Sequence, residues 1–268
     1  MLDIAFAVVD VETTGLSPAF GDRVCEIAIV RVQGESQPTT FTSLVNPGRP
    51  ISPDAAAVNG ITPEMLATAP SFPDIAGEVG RHLDGCIFVA HNAPFDLGFL
   101  ATEFQRLRVP LPVTQVIDTL ALARRYYTFT RNTLGTIAEE LRIPYPQRHR
   151  ALQDAEVTWR VFTTLSRDLL ERRRATFADF LTPAALLLQP AAAEAAPLPP
   201  LLSEALTHRL SLEIHYVTST QAVSIRRIDP IAVVPNQYAL YLRAYCHLRQ
   251  DERTFRLDRI TRMRIVKA

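Results

Sequence analysis

Near its start the chain carries a nearly unbroken apolar segment, residues 4–11. Such a segment is typical of a strand at the centre of a sheet, because it has no polar face to present to water. Two further strand candidates follow at residues 24–32 and 40–45, joined by short turns. This opening predicts an antiparallel meander of three strands.

Apolar residues at helical spacing dominate the next part of the chain. The predicted helices are residues 63–69, 72–83, 95–107, 133–141 and 151–170, and a short buried strand is predicted at 87–90. A meander followed by strands that alternate with helices is typical of an α/β domain, which predicts a mixed sheet flanked by helices.

The composition changes after this region. Residues 182–200 are dominated by Ala, Pro and Leu, and the prolines favour a semi-rigid linker. Short segments rich in β-branched and aromatic residues follow, which predict a small all-β sheet or barrel with strands at residues 210–217, 223–228, 231–234, 238–246 and 253–257. We therefore divide the chain into a first domain, 1–178, a linker, 179–200, and a second domain, 201–268.

The formal net charge is zero, but the charges are distributed unevenly. Residues 201–268 contain 11 basic and 6 acidic residues, whereas the rest of the chain contains 17 basic and 22 acidic ones. The acidic part suits a metal site and the basic part suits a polyanion. Ordinary surface variation explains a difference of this size equally well.

Cysteine usage and hydropathy bear on the compartment. The three cysteines form no C-x-x-C pair, which argues against a disulfide framework or a zinc site and predicts a reducing, cytoplasmic environment. The apolar stretch near residues 183–202 is interrupted by five prolines and Glu194, so we predict no membrane partner.

Two carboxylates, Asp10 and Glu12, stand at the end of the opening strand. Side chains two positions apart in a strand lie on the same face, so these two acids are held side by side. Like charges at that spacing favour a divalent cation such as Mg²⁺. Two exposed acids at a strand edge are an equally good interpretation of this pair alone.

Two further acids, Asp96 and Asp154, lie near the starts of predicted helices. Asn92 occupies a predicted N-cap, and Asp96 lies in the first turn of the helix that follows, where the helix dipole favours an acid. His149 and Asp154 are five residues apart and would face different sides of a helix, so His149 is expected on the preceding loop. Taken alone, His149 is better explained as a loop histidine without a role.

Taken in order, these motifs resemble the DEDDh exonuclease family, which contains polymerase proofreading subunits and related ribonucleases. The signature positions D-x-E, N-x-x-x-D and H-x-x-x-x-D are all filled, and the resemblance covers about residues 4–170. It implies an RNase-H-like fold and a 3′→5′ exonuclease that uses two divalent metal ions, Mg²⁺ or Mn²⁺.

The same resemblance implies a role for each residue. Asp10, Glu12 and Asp154 would bind the ion that carries the attacking water. Asp10 would also bridge to the second ion, which Asp96 would support. His149 would be the general base. Substrate contacts are implied for Thr13, Thr14, Gly15, Leu16, His91, Asn92 and Phe95, although the first four also suit an ordinary turn and Phe95 also suits the core.

The second domain resembles the WYL domain, a small SH3-like β-barrel. The resemblance rests on the segments LEIHYV, YALYLRAYCHLR and RTFRLDRI, although the Trp of the naming tripeptide is replaced by Leu240. Arginines in these strands suggest a phosphate-binding surface, and solvated strand arginines are the alternative. The candidate nucleic-acid contacts are Arg226, Arg227, Arg243, Arg253, Arg256 and Arg259.

Together these features predict a 3′→5′ exonuclease that acts on the 3′ end of DNA, preferably single-stranded, in repair or proofreading-type end processing. The resemblance to proofreading-type members favours DNA. An exoribonuclease is an alternative, because the family also contains ribonucleases and the sequence shows no residue that distinguishes RNA from DNA by its 2′-hydroxyl. A non-catalytic regulator that senses nucleic acid or a ligand through the second domain is a further alternative.

Overall fold

The computed structural model describes residues 4–34, 36–146, 150–189, 198–217, 223–236 and 239–266. These residues belong to two compact units, Met1–Leu188 and Gln189–Ala268, and each unit has its own hydrophobic core. None of the helices in the described ranges combines the length and the apolar character that a membrane span requires.

In the part of the chain that the structure describes, the first unit contains six strands and eight α-helices. The strands are β1 Ala5–Thr13, β2 Val24–Gln33, β3 Thr39–Leu44, β4 Cys86–Ala90, β5 Gln115–Asp118 and β6 Thr182–Pro183. The helices are α1 Pro53–Asn59, α2 Pro63–Ala67, α3 Phe72–Leu83, α4 Ala93–Leu107, α5 Thr119–Tyr126, α6 Leu134–Glu140, α7 Ala151–Glu171 and α8 Ala184–Leu188.

The strands form one mixed sheet in the order β3-β2-β1-β4-β5-β6. β1, β4 and β5 run parallel, while β2, β3 and β6 are antiparallel to their neighbours. The meander of three strands and the mixed sheet flanked by helices are therefore confirmed. The carboxyl ends of the three parallel strands meet at one edge of the sheet, which is where α/β folds commonly bind ligands.

Helices cover both faces of β1, as its apolar sequence predicts. Ala7 and Val9 belong to the core cluster shared with α3 and α4. Val8, between them, faces the opposite cluster, to which α7 contributes Ala155 and Phe162. Asp10 and Glu12 follow the phase of Val8, so the acids of β1 point toward the face that α7 covers.

The first unit continues to Leu188, beyond residue 178 where the sequence patterns end it. β6 pairs with β5, and Ala184 is buried in the core cluster on the α4 side of the sheet. The proline at position 183 ends a strand at the start of α8 and does not interrupt packing. The first part of the predicted linker, residues 179–188, therefore packs as part of the first unit.

Among its described residues, the second unit contains one α-helix and a five-stranded antiparallel sheet. Its elements are α9 Pro200–His208, β7 Leu212–Val217, β8 Val223–Asn236, β9 Ala239–Cys246, β10 Asp251–Arg256 and β11 Ile260–Ile265. The strand order is β10-β9-β8-β7-β11. β8 spans two predicted strands in one, because a register shift between Pro230 and Ala232 lets it continue past the proline.

Candidate active site

Asp10 and Glu12 lie at the carboxyl end of β1. The parallel register between β1 and β4 runs from Ala5 to Val8, so both acids lie beyond the paired residues. β2 continues alongside β1 and places Glu26 opposite Glu12. The strand thus carries its two carboxylates past β4 to the edge where the parallel strands end.

Asp154 joins these two acids from α7. It lies in the first turn of the helix and is buried. Asp10, Glu12 and Asp154 each offer one oxygen, and the three oxygens lie within 4.8 Å of one another. The structure therefore brings together carboxylates that are far apart in sequence, in an arrangement that suits one hard divalent cation. We refer to Asp10, Glu12 and Asp154 as the carboxylate triad.

Asp96 adjoins the carboxylate triad from the first turn of α4. Its Oδ1 accepts a hydrogen bond of 3.0 Å from the backbone N of Val11, between the two acids of β1. The side chain is buried. Asp96 therefore both anchors α4 to the end of β1 and adds a fourth carboxylate beside the triad.

Burial and mutual repulsion make these acids hard to ionise. Burial raises the pKa of Asp10 well above its usual range, and the charges of Asp96 and Asp154 raise it further. Burial raises the pKa of Glu12 to about 8, with Asp154 and Glu26 adding to the rise. A bound cation would relieve this repulsion, so the donor set fits a divalent metal ion by charge as well as by ligand type.

This repulsion predicts how the stability of the metal-free protein depends on pH. Glu12 loses its proton near pH 4.5 in the unfolded chain and near pH 8 in the folded one. Between those values the unfolded state binds fewer protons, so the free energy of unfolding should fall as the pH rises. Glu12→Gln removes this penalty. Relative to wild type, its free energy of unfolding should therefore rise with pH, from no difference near pH 4.5 to an advantage of about 2 to 4 kcal/mol near pH 8.

Urea unfolding of both proteins in chelator, from pH 4.5 to 8, measures this difference. A saturating divalent cation should reverse the order, because it binds the wild-type carboxylate more strongly than the amide. Parallel stability profiles for wild type and variant in chelator would contradict the electrostatic description of the site.

Two side chains at the site were not predicted. Glu26 is buried and binds Arg150, the residue before α7. Tyr145 donates a hydrogen bond of 2.6 Å from its hydroxyl to Oδ1 of Asp154. A single acid within the apolar strand β2 is a usable sequence signal for Glu26, whereas nothing around Tyr145 distinguishes it from an ordinary loop tyrosine.

Among residues 13–16, at the end of β1, the exposed side chain is that of Leu16. Leu16 is 49% exposed, while Thr13 and Thr14 are buried. A Cβ on Gly15 would lie 2.4 Å from Oδ2 of Asp22, so only glycine permits this close approach. The same oxygen of Asp22 accepts a hydrogen bond from the backbone N of Ser17. The carboxylate of Asp22 therefore holds the segment that presents Leu16.

His91, which lies between β4 and α4, has both ring nitrogens within hydrogen-bonding distance of other residues of the first unit. The ring nitrogens of His91 lie 2.9 Å from Oγ1 of Thr119 and 3.1 Å from the carbonyl oxygen of Asn132. Burial lowers the pKa of His91, which favours a neutral ring. Both ring nitrogens already have protein partners, so His91 connects β4 to neighbouring segments.

Asn92 and Phe95 differ in their settings. Asn92 occupies the N-cap position of α4 in a left-handed conformation, with φ of 75°, and its side chain makes no capping hydrogen bond. Its backbone N binds Oδ1 of Asp118 instead. Phe95 packs against Phe99 with ring centroids 4.9 Å apart and is partly buried at the edge of the core. His149 lies outside the residues that the structure describes.

The candidate arginines of the second unit do not share one face of the sheet. Arg226 lies opposite the buried Ile214, whereas its neighbour Arg227 lies opposite Glu213. Because strand side chains alternate, the two leave opposite faces of β8. Arg256 forms an ion pair with Asp258. The interpretation of all six arginines as a single surface is therefore not supported by the strand register.

Comparison with known proteins gives the family of each unit. The family model for Exonuclease (RNase_T) matches residues 7–162, and the model for the WYL domain matches residues 198–265. The chain is 38% identical over 170 residues to "3'-5' exonuclease DinG" of Bacillus subtilis (strain 168). The aligned region covers 63% of this chain and 18% of that protein.

Two further relatives match over more of their own length. "DNA polymerase III subunit epsilon" of Pasteurella multocida (strain Pm70) is 37% identical over 169 residues, covering 59% of this chain and 67% of that protein. A solved structure of "Exonuclease X in complex with 5' overhanging duplex DNA" has a TM-score of 0.51 and 27% identity, covering 68% of this chain and 99% of that one. The chain thus belongs to the RNase_T exonuclease family through its first unit, which a WYL domain follows.

Proposed function

We propose that the protein is a 3′→5′ exonuclease that hydrolyses the terminal phosphodiester bond of a nucleic acid with the aid of two divalent metal ions. The observation that carries this proposal is the convergence of three carboxylate oxygens within 4.8 Å at the carboxyl end of β1. Family membership supports the same reaction, and a relative with 3'-5' exonuclease in its name matches this first unit.

Asp10, Glu12 and Asp154 would hold one ion, and Asp10 and Asp96 would hold the other. Bound Mg²⁺ or Mn²⁺ would supply the positive charge that lets an anionic phosphodiester approach a cluster of acids and would stabilise charge developing on it. Within the chain, the hydroxyl of Tyr145 orients the carboxylate of Asp154. The amide of Val11 orients that of Asp96.

His149 is proposed as the general base. It precedes Arg150, the N-cap residue of α7, and it is five residues from Asp154 in the sequence. An imidazole with its ordinary pKa of about 6.5 accepts a proton from water efficiently near neutral pH. In this role its ring nitrogen takes the proton of the attacking water and returns it to solvent.

The segment Thr13, Thr14, Gly15 and Leu16 is proposed to contact the terminal nucleotide. The half-exposed Leu16 supports this role, because the rest of the segment is held by Asp22 and gives the apolar side chain a fixed direction. Asn92 and Phe95, at the start of α4, are proposed to line the same site. For His91 the bound ring nitrogens support an indirect contribution through the shape of the site.

DNA with a free 3′ end is the proposed substrate, with single strands preferred. The similarity to a DNA polymerase subunit and to an exonuclease solved with duplex DNA supports DNA over RNA. Repair or proofreading-type end processing is the proposed setting. The three cysteines, all free and buried, support a reducing, cytoplasmic environment.

The test uses DNA and RNA strands of one sequence, labelled at the 5′ end and incubated with Mg²⁺, Mn²⁺ or chelator. A ladder that shortens from the 3′ end, only with metal, is expected on DNA and more weakly on RNA. Faster cleavage of RNA would favour the exoribonuclease alternative. Intact strands under all conditions would favour the non-catalytic regulator.

The second unit is proposed to be an SH3-like barrel that binds nucleic acid. The register shift in β8 supports a closed sheet, because such a shift bends the strand. Arg243 and Arg256 support binding, since they share one face of the sheet with Tyr241. The positive charge of residues 201–268 acts in the same direction.

Deletion of residues 201–268 should raise the KM for single-stranded DNA about tenfold and leave kcat within about twofold, because the phosphate contacts are lost while the carboxylates stay. The two units have separate cores, so the first unit should fold without the second. Steady-state kinetics at physiological salt check this prediction. An unchanged KM would contradict binding by the WYL domain.

A further inference from the structure

Glu26 is a further buried carboxylate at the site, and protein donors occupy it. It is 4% exposed and lies opposite Glu12 in the pairing of β1 with β2. Nε of Arg150 lies 3.2 Å from both carboxylate oxygens, and Nη2 lies 2.8 Å from Oε1. The backbone N of Ala151 donates to Oε2 at 3.2 Å. With both oxygens bound in this way, Glu26 is not arranged as a metal ligand.

These contacts satisfy the start of α7. Arg150 occupies the N-cap position, and its side chain makes no capping hydrogen bond. An arginine has no acceptor, so it is unable to cap the free amides of the first turn. Glu26 on β2 provides the missing acceptor for Ala151, and its negative charge also suits the positive end of the helix.

The same turn carries a member of the carboxylate triad. The backbone N of Asp154 donates to the carbonyl oxygen of Arg150 at 3.1 Å. The carboxylate of Glu26 binds the side chain of Arg150 and the amide of Ala151, so it holds the chain at the acceptor end of this first helical bond. In this way β2 sets the distance between the first turn of α7 and the acids of β1.

We propose that Glu26 is a positioning residue for the metal site, which holds Asp154 in place through Arg150 and Ala151. This inference rests on the proposed function, because it assumes that the carboxylate triad binds divalent ions for catalysis. Arg150 also directly follows His149 in the sequence, so the same anchor holds the chain next to the proposed base.

A second ion pair in the first unit offers a matched control. Glu103 on α4 is 3% exposed and binds Arg23 through the same two-pronged geometry, with distances of 2.5 and 2.7 Å. It lies about two helical turns beyond Asp96, and its hydrogen bonds within the described residues join it to Arg23 on the chain between β1 and β2. Glu103→Gln thus removes a comparable buried charge without touching the proposed anchor.

The experiment compares Glu26→Gln and Glu103→Gln in the full chain. Mn²⁺ binding without substrate is followed by electron paramagnetic resonance, and kcat and KM are measured on single-stranded DNA. Glu26→Gln should weaken Mn²⁺ binding about tenfold and lower kcat about 10- to 100-fold, with KM within about twofold. Glu103→Gln should lower the melting temperature but leave Mn²⁺ affinity and kcat near wild type.

A Glu26→Gln protein with wild-type Mn²⁺ affinity and wild-type kcat would overturn the proposal, as would equal losses in both variants. If Glu26→Gln does not fold, Arg150→Gln takes its place, since the arginine is partly exposed and its loss should shift both quantities in the same direction. If both variants fold, the double variant should lose no more Mn²⁺ affinity or kcat than the more impaired single variant, because the two residues act as one unit. A wild-type chain that binds Mn²⁺ but cleaves no nucleic acid would overturn the proposed function, and the Mn²⁺ comparison would still decide the role of Glu26.

Discussion

Replacing Asp10 with asparagine should lower the rate of 3′-terminal cleavage at least about a thousandfold, the equivalent of about 4 kcal/mol of lost transition-state stabilisation. Asp10 belongs to the carboxylate triad and interacts electrostatically with Asp96 as well. An amide keeps the size of the side chain but removes the charge that would hold both ions. We therefore expect weak Mn²⁺ binding and almost no turnover on labelled DNA.

The fold of the Asp10→Asn protein should be intact, and in chelator the variant should be more stable than wild type because repulsion among the acids is reduced. Asp168→Asn is the control: Asp168 is a carboxylate on the same helix as Asp154, and it binds the hydroxyl of Tyr127 and the guanidinium of Arg172. Its kcat should stay within about twofold of wild type. Comparable losses in both variants would contradict a specific role for Asp10.

Replacing His149 with alanine should lower kcat about 10²- to 10⁴-fold, the usual contribution of a general base, while Mn²⁺ affinity stays near that of wild type. This combination separates a base from a ligand, because a lost ligand would reduce both quantities. Single-turnover cleavage and Mn²⁺ titration of the same preparation measure the two effects.

The pH profile gives an independent check on His149. Wild-type kcat should decrease below about pH 6.5 as the base becomes protonated, and this decrease should be absent in His149→Ala. His82→Ala serves as the control, since His82 contacts the carbonyl oxygen and the carboxylate of Glu78 on α3. Near-wild-type turnover by His149→Ala would remove the histidine from the mechanism.

Local sequence patterns were sufficient to predict the opening meander and most helices of the first unit. For β1, burial on both faces follows directly from its apolar sequence. These patterns were insufficient for β5, which is four residues long and passes into α5 without an intervening turn. The short segment around Thr182 was assigned to a linker for a related reason: its pairing with β5 depends on a partner distant in sequence.

The site residues also divide into those that local patterns predict and those that depend on contacts distant in sequence. Alternation along β1 predicts that Asp10 and Glu12 share a face, but the approach of Asp154 was implied only by the family resemblance. Glu26 and Tyr145 acquire their roles from tertiary contacts with α7. In the second unit, the arginines were grouped because they lie in predicted strands, whereas the register between β7 and β8 separates Arg226 from its neighbour Arg227.

The proposed reaction requires that acids from β1, α4 and α7 converge to bind a pair of divalent ions. Anomalous diffraction from crystals of the full chain grown with Mn²⁺ and a nucleoside monophosphate would reveal this convergence. We expect two Mn²⁺ peaks about 3.5–4 Å apart, one of them in contact with Asp10, Glu12 and Asp154. Carboxylates that point away from one another, with no Mn²⁺ peak between them, would contradict it.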